Sequence, residues 1–417
     1  MIKNDYGHLN CPYYQERISD SVDVYFIPRK SKLKSALVYV SKGIYQGSES
    51  VQFTKIPTGA MYYLANSILT KDMVNEFSKK GVMSSVEVGM SYTSFGLTTI
   101  GDSLFDCLKV LMERVATPSI TEKDVDAFRA DDISRAKQDD SDIVSLCKKG
   151  AIKGLYIESP MQNAFLPDER ECVNIHASTL KKIQESYYVP SKTVIFISVD
   201  EDPRKTVEQV KKLRLPLNLT VQESRIDYDE DYAKVASDSI ELKKDSVNSY
   251  LSYAVKFPAR KNIYESYGDS AFFIYEIMMD LMFNKNADFI NKMADLKAEV
   301  VDSEFVQGGE DAYIVLTFRT DNGQQVCDFL SSYLTKLDKH VSQSFFDTVR
   351  EQYYAKALQK LSSPHQVVRE FASSYPNHIS YPSLVAHTMR LSYSIIKKFF
   401  SDVKIFKRAC CYVNAKR

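Results

Sequence analysis

The chain has no tryptophan, no C-x-x-C pair, no glycine-rich phosphate loop and no two histidines at helical spacing. Each absence excludes something. Without C-x-x-C, the seven cysteines (11, 107, 147, 172, 327, 410, 411) offer neither a zinc ribbon nor a dithiol redox motif. Their odd number and scatter exclude a disulfide framework, so they read as buried thiols in a reducing, cytoplasmic setting. Without a phosphate loop, "GDSLF" and "NGQQ" are turns and nucleotide chemistry has no seat. The six histidines (8, 176, 340, 365, 378, 387) leave one conceivable metal site, His365 with His378 and His387. We read these instead as surface or helix-end histidines. Missing tryptophan decides nothing, because 27 tyrosines and 22 phenylalanines serve cores and peptide-contacting surfaces alike.

Net charge is missing too. Lys plus Arg equals Asp plus Glu at 54 each, so no global field draws in nucleic acid or an anionic membrane. Basic clusters such as "RKSKLK" and "KKLRLP" have acidic neighbours and read as solvated turns. No long apolar run exists either. The most apolar stretch, "AFFIYEIMMDLMF" (271–283), contains Glu276 and Asp280, which makes it a buried helix and not a membrane span. The first twenty residues have neither a secretory core nor the look of a transit peptide, so no targeting signal is expected.

What remains is an ordinary globular composition, 44% apolar and 26% charged, on 417 residues. That length calls for two or more domains. Strand signals stand at 22–27 ("VDVYFI") and 36–41 ("ALVYVS"), followed by helices at 59–69 and on to about Lys80. Two alternating runs, 82–88 and 91–99, come next. A helix capped by Asp102, a Thr-Pro break at 117–118 and a helix opening after Thr121 complete the pattern. Residues 179–199 give a helix, a proline stop and a β-branched strand.

The second half repeats the first. "SFGLTTIGDSLFDCLKVLMERVATPSITEKDVDAFRADD" (94–132) is echoed by "YIVLTFRTDNGQQVCDFLSSYLTKLDKHVSQSFFDTVREQ" (313–352): strand, turn, helix with an early cysteine, break, charged helix. "KKIQESYYVPSKTVIFISV" (181–199) parallels "SIIKKFFSDVKIFKRACCYV" (394–413). The offset, about 215–220 residues, means one duplication. The expected fold is α+β, two similar α/β-sandwich domains at 1–210 and 236–417. The proline-broken, acidic stretch "RLPLNLTVQESRIDYDEDYAKV" falls in a linker at 211–235.

Within "IPTGAMYYLANSIL" (56–69), Met61, Leu64, Ala65, Ile68 and Leu69 form one buried helical face. Tyr62, Ala65 and Asn66 form a narrower stripe at i, i+3 and i+4. With the duplication, this helix resembles that of the insulinase/pitrilysin-type metallopeptidases, which carry the inverted zinc motif H-x-x-E-H. "VDVYFIPRKSKLKSALVYVSKG", "FSKKGVMSSVEVGMSYTSFGL", "ITEKDVDAF" and "YYVPSKTVIFIS" follow in the family's order, so the likeness covers nearly the whole chain. It is greatest to the bacterial subunits of this length that pair into two-chain peptidases. A metallopeptidase-like half-clamshell is the implied fold.

The resemblance also implies where chemistry should be. The metal-binding histidines fall on Tyr62 and Asn66, and the catalytic glutamate on Ala65. The distal ligand falls near Ser134 or Arg135, with Asp131 or Asp132 as the nearest carboxylates. The family's transition-state arginine and tyrosine fall on Ala294 and Val301. One carboxylate with an amide and a phenol is not a zinc site, so no metal or cofactor is expected. Tyr62, Ala65 and Asn66 read as vestigial positions, now plain core or interface residues. Ser84–Ser85 have no histidine nearby in sequence, so no serine triad is supported. What the family would retain is its substrate-side edge strand, "VMSSVEVG" (82–89), with Ser84, Ser85, Val86 and Glu87 as the peptide-binding stretch. Glu87 reads equally as a charge guarding that edge. The implied function is an inactive peptidase-like subunit pairing with a homologous zinc-bearing partner, the partner supplying any proteolysis. The alternative is a peptide-binding or structural protein with no peptidase in its complex.

Overall fold

The structure, a computed structural model, describes the chain except residues 6–8, 19–21, 45–49, 52–53, 118, 164–171, 214–229, 232, 258–266, 269, 309–310, 403–406 and 417. Most of the expected linker therefore lies outside the described residues.

Sequence pattern sets strand position in the first sheet. β4 (Lys34–Val40) and β9 (Thr193–Ser198) are nearly continuous apolar runs buried on both faces, and they lie at the centre. Around them are β1 (Ile2–Asn4), β2 (Tyr13–Ile18), β3 (Val22–Phe26), β7 (Val82–Val88) and β8 (Thr93–Thr99). The order is β1-β2-β3-β9-β4-β8-β7, with β3 and β9 parallel and every other pairing antiparallel. β5 (Ser50–Val51) and β6 (Thr54–Lys55) form a separate short ribbon.

The second sheet is the first repeated. β10 (Ser239–Glu241), β11 (Tyr250–Phe257), β12 (Glu299–Gly308), β13 (Asp311–Arg319) and β14 (Lys407–Val413) run in the order β10-β14-β11-β13-β12. Strand for strand this matches β3-β9-β4-β8-β7. The parallel pair, here β10 with β14, recurs in the same place. The duplication read from two sequence echoes thus extends to sheet topology.

Helices cover the sheets. α1 (Ala60–Ile68) packs on β7, and α3 (Leu104–Ala116) packs on β4 and β8. Leu104, Leu108, Leu111, Met112 and Val115 of α3 have no exposed surface, each worth about 1.5–3 kcal/mol of burial. α2 (Lys71–Lys79) starts on Thr70, whose hydroxyl accepts from Met73 N–H. α4 (Glu122–Ser141) opens with a reciprocal Thr121–Asp124 cap. Asp102 does not cap α3 as expected. Ser103 holds the N-cap position, and the Asp102 carboxylate accepts instead from Lys34 Nζ at 2.8 Å.

The compact units differ from the halves 1–210 and 236–417. One comprises 1–134, 165–226 and 356–386; the other comprises 135–164, 227–355 and 387–417. The duplicated helices α5 (Ile143–Leu155) and Pro364–Ser374 change places. α5 packs on β11, β13 and β14, whereas Pro364–Ser374 packs on β4 and β9. Glycines permit the first contact: a Cβ on Gly150 would stand 2.6 Å from Cys411 Sγ, and one on Gly154 would stand 3.0 Å from the Ser237 carbonyl oxygen. All seven cysteines are free and buried.

Candidate functional site

α1 follows Gly59, whose φ of 77° is a left-handed conformation that suits glycine. Its inward face, with Met61, Leu64 and Ile68, joins the first unit's core. Tyr62 and Asn66 stand half-buried one turn apart, and Ala65 has no exposed surface. Asn66 Nδ2 donates to the Tyr62 carbonyl at 2.8 Å, so this amide is engaged by its own helix. The three positions hold a phenol, a methyl and a backbone-bound amide. Zinc takes imidazole, thiolate or carboxylate donors, and its bound water needs a base that a methyl cannot be. The residues present do not fit the zinc ion that the family resemblance implies.

The carboxylates nearest the distal position that the resemblance implies already have partners. Asp131 is exposed and pairs with Lys71. Asp132 is buried, and Cys172 Sγ donates to its Oδ2 at 3.1 Å. Tyr63 packs edge-on against Phe128, ring centroids 4.9 Å apart. Burial, then the adjacent Cys172 and Asp132, pushes the Tyr63 hydroxyl far above its ordinary pKa. Ser134 is exposed. Among the described residues, no three His, Cys, Asp or Glu side chains stand where they could hold a metal.

In the second unit, Ala294 is exposed at the end of the helix Ala287–Asp295. It lines a 420 Å³ cleft with Lys297, Arg319 and Asp321, and Arg319 is paired with Glu299. Val301 sits at a register shift in β12, 37% exposed. Neither side chain offers a donor to an oxyanion.

β7 ends the first sheet, paired along its length with β8 and with no other described strand. Val82 and Val86 face the core with Ser84, whose buried Oγ has no hydrogen-bond partner among the described residues. Ser85 is exposed on the other face. Glu87 on that face accepts from Tyr92 Oη at 2.8 Å and pairs with Arg369 at 2.9 Å. Ser85, Val86 and Glu87 line a 170 Å³ pocket roofed by His365, Val368 and Arg369 of the helix Pro364–Ser374. Sequence reading separated the serines from every histidine; the fold brings His365 into the pocket that Ser85 lines. The hydroxyl bonded to His365 is nonetheless Thr98 Oγ1, at 3.0 Å from Nδ1. No local signal pointed there, because Thr98 and His365 lie 267 positions apart. His365, His378 and His387 are not gathered: His378 ends a short turn at φ 56°, and His387 belongs to the second unit.

No protein-family model matches the chain. Over 224 residues it is 25% identical to the "uncharacterized zinc protease YmfH" of Bacillus subtilis, covering 51% of this chain and 51% of that protein. The match thus spans about half the length of that relative. Its fold is similar to a protein from Alicyclobacillus acidocaldarius described as an M16-like peptidase (TM-score 0.81, 13% identity, 98% of this chain and 99% of that one). A peptidase M16 inactive domain from Pseudomonas fluorescens has a TM-score of 0.70 at 12% identity, covering 97% and 98%. The periplasmic protease PqqL of Escherichia coli has a TM-score of 0.65 at 12% identity, covering all of this chain and 48% of its own. The chain has the M16-like peptidase fold, and the insulinase/pitrilysin-type resemblance carried by its motifs holds. Among the described residues, no helix is long and apolar enough to cross a membrane.

Proposed function

We propose that this chain is a catalytically silent M16-type subunit that holds extended peptide on β7 while a homologous, zinc-bearing partner chain cuts it. The observation that carries the reading is a retained fold around emptied chemistry. By the family resemblance Tyr62, Ala65 and Asn66 take the zinc-motif positions, while the sheet keeps β7 as an edge strand with no second partner among the described residues, and α1 keeps its place against it. Main-chain groups of an edge strand capture peptide without any catalytic side chain. The likeness to an M16 inactive domain, and to about half of a chain twice as long, supports pairing with a second unit of the same fold. The seven free, buried thiols support a reducing compartment, the cytoplasm.

One observation favours the second reading, a binding or structural protein with no peptidase in its complex. By the family resemblance, Ala294 and Val301 fall where a helper subunit would contribute its transition-state groups. A pull-down from the native host separates the two. A co-purifying homologue bearing H-x-x-E-H, with peptidase activity in the eluate, supports the first reading; stable partners without that motif support the second.

A further inference from the structure

The pocket beside β7 has a defined hydrogen-bonding character, set by three side chains. Ser35 Oγ donates to the Leu97 carbonyl at 3.1 Å and lies 2.7 Å from Thr98 Oγ1, which lies 3.0 Å from His365 Nδ1. A hydroxyl has one proton to give. One assignment makes all three contacts hydrogen bonds: Ser35 donates to Leu97, Thr98 to Ser35, and His365 Nδ1–H to Thr98. His365 Nε2 is then left as an acceptor whose lone pair no described residue takes. Burial, then the charge of Arg369, holds the His365 pKa below its ordinary value, so the ring is neutral at pH 7.

The rest of the lining narrows what would bind. Leu37 and Val368 are apolar walls, and Gly96 keeps the floor open, since a Cβ there would stand 2.7 Å from Ser85 Oγ. The 170 Å³ volume is close to the roughly 150 Å³ that accommodates a benzene ring. Arg369 at the rim disfavours a cation beside Nε2, and Glu87 disfavours a carboxylate. A neutral group with an apolar body and one donor satisfies every wall.

We propose that this pocket is a binding site for a neutral hydrogen-bond donor of phenol size, the side chain of a tyrosine in peptide held on β7. The peptide part rests on the function proposed above; the pocket chemistry does not. The test is a titration of the full chain with 4-methylphenol, and in parallel with toluene, read by NMR of the histidine ring protons. 4-Methylphenol is expected to saturate, to move the His365 resonances and to bind about fivefold more tightly than toluene. His365→Phe keeps a ring but no acceptor and is expected to abolish that preference. Should that variant not fold, the unmodified chain decides: no shift at His365, or equal affinity for both probes, overturns the site. A second arm compares labelled hexapeptides carrying Tyr or Phe at one position. Tighter binding of the tyrosine peptide supports the assignment, and equal binding by a chain that binds 4-methylphenol overturns the peptide part alone. Failure of both peptides to bind counts against edge capture and leaves the phenol result standing.

Discussion

Ala65 is the residue at which the proposed loss of catalytic chemistry is most simply tested. A glutamate there would put a carboxylate where no surface is exposed. Ala65→Glu should therefore destabilise the chain by about 2–4 kcal/mol, read as a lower melting temperature. Adding Tyr62→His and Asn66→His should give no peptide cleavage, because Ala294, Val301 and the distal position remain unchanged. A second residue-scale prediction concerns Glu230 and Lys256, paired at 2.6 Å with side chains 1% exposed. Glu230 also accepts from the N–H groups of Ile157, Glu158 and Ser159. Burial alone would raise its pKa, but Lys256 and these N–H groups outweigh it and lower it. The stability it contributes is present above the unfolded carboxylate pKa of about 4.3 and is lost as pH falls through the lower folded value. Glu230→Ala should cost about 3–5 kcal/mol at pH 7. Thermal melts of the variant should also lose part of the acid-side slope that the parent shows below about pH 4.

β7 is the element on which the proposed peptide capture depends, and proline tests it. Successive N–H groups of a strand point to opposite sides, one toward the neighbouring strand and the next away. Of Ser85→Pro and Val86→Pro, one should therefore break pairing with β8 and lower the melting temperature. The other should keep the fold and abolish peptide binding measured by fluorescence anisotropy. Unchanged binding in the well-folded variant would contradict edge capture. The strand itself was legible in sequence, as were α1, α3 and β9, because alternation and helical spacing are local patterns. The exchange of α5 for the helix Pro364–Ser374 was not. An amphipathic face in "IVSLCKKGAIKGL" says that α5 is buried, but not against which of two similar sheets. The pocket was illegible for the same reason. Thr98, Ser85 and His365 become neighbours only once a helix from the second half settles on the first sheet.

At the scale of the molecule, that exchange predicts how the chain comes apart. A cut within 214–229 separates 135–164 from the rest of the unit it belongs to, and 356–386 likewise. The two fragments should co-elute on native size exclusion and separate only in denaturant; separation without denaturant would contradict the exchanged packing. The duplication itself was plain in sequence, since both halves kept their order of elements, while the identity of the proposed partner leaves no mark in one chain's residues. The central claim is that a peptidase fold persists here without its own metal chemistry, and zinc stoichiometry tests it most directly. The purified chain, loaded with zinc and then dialysed, should retain less than about one-tenth of an equivalent by elemental analysis. The complex isolated from its host should retain one zinc for every two chains. A full equivalent held by the chain alone would contradict the account.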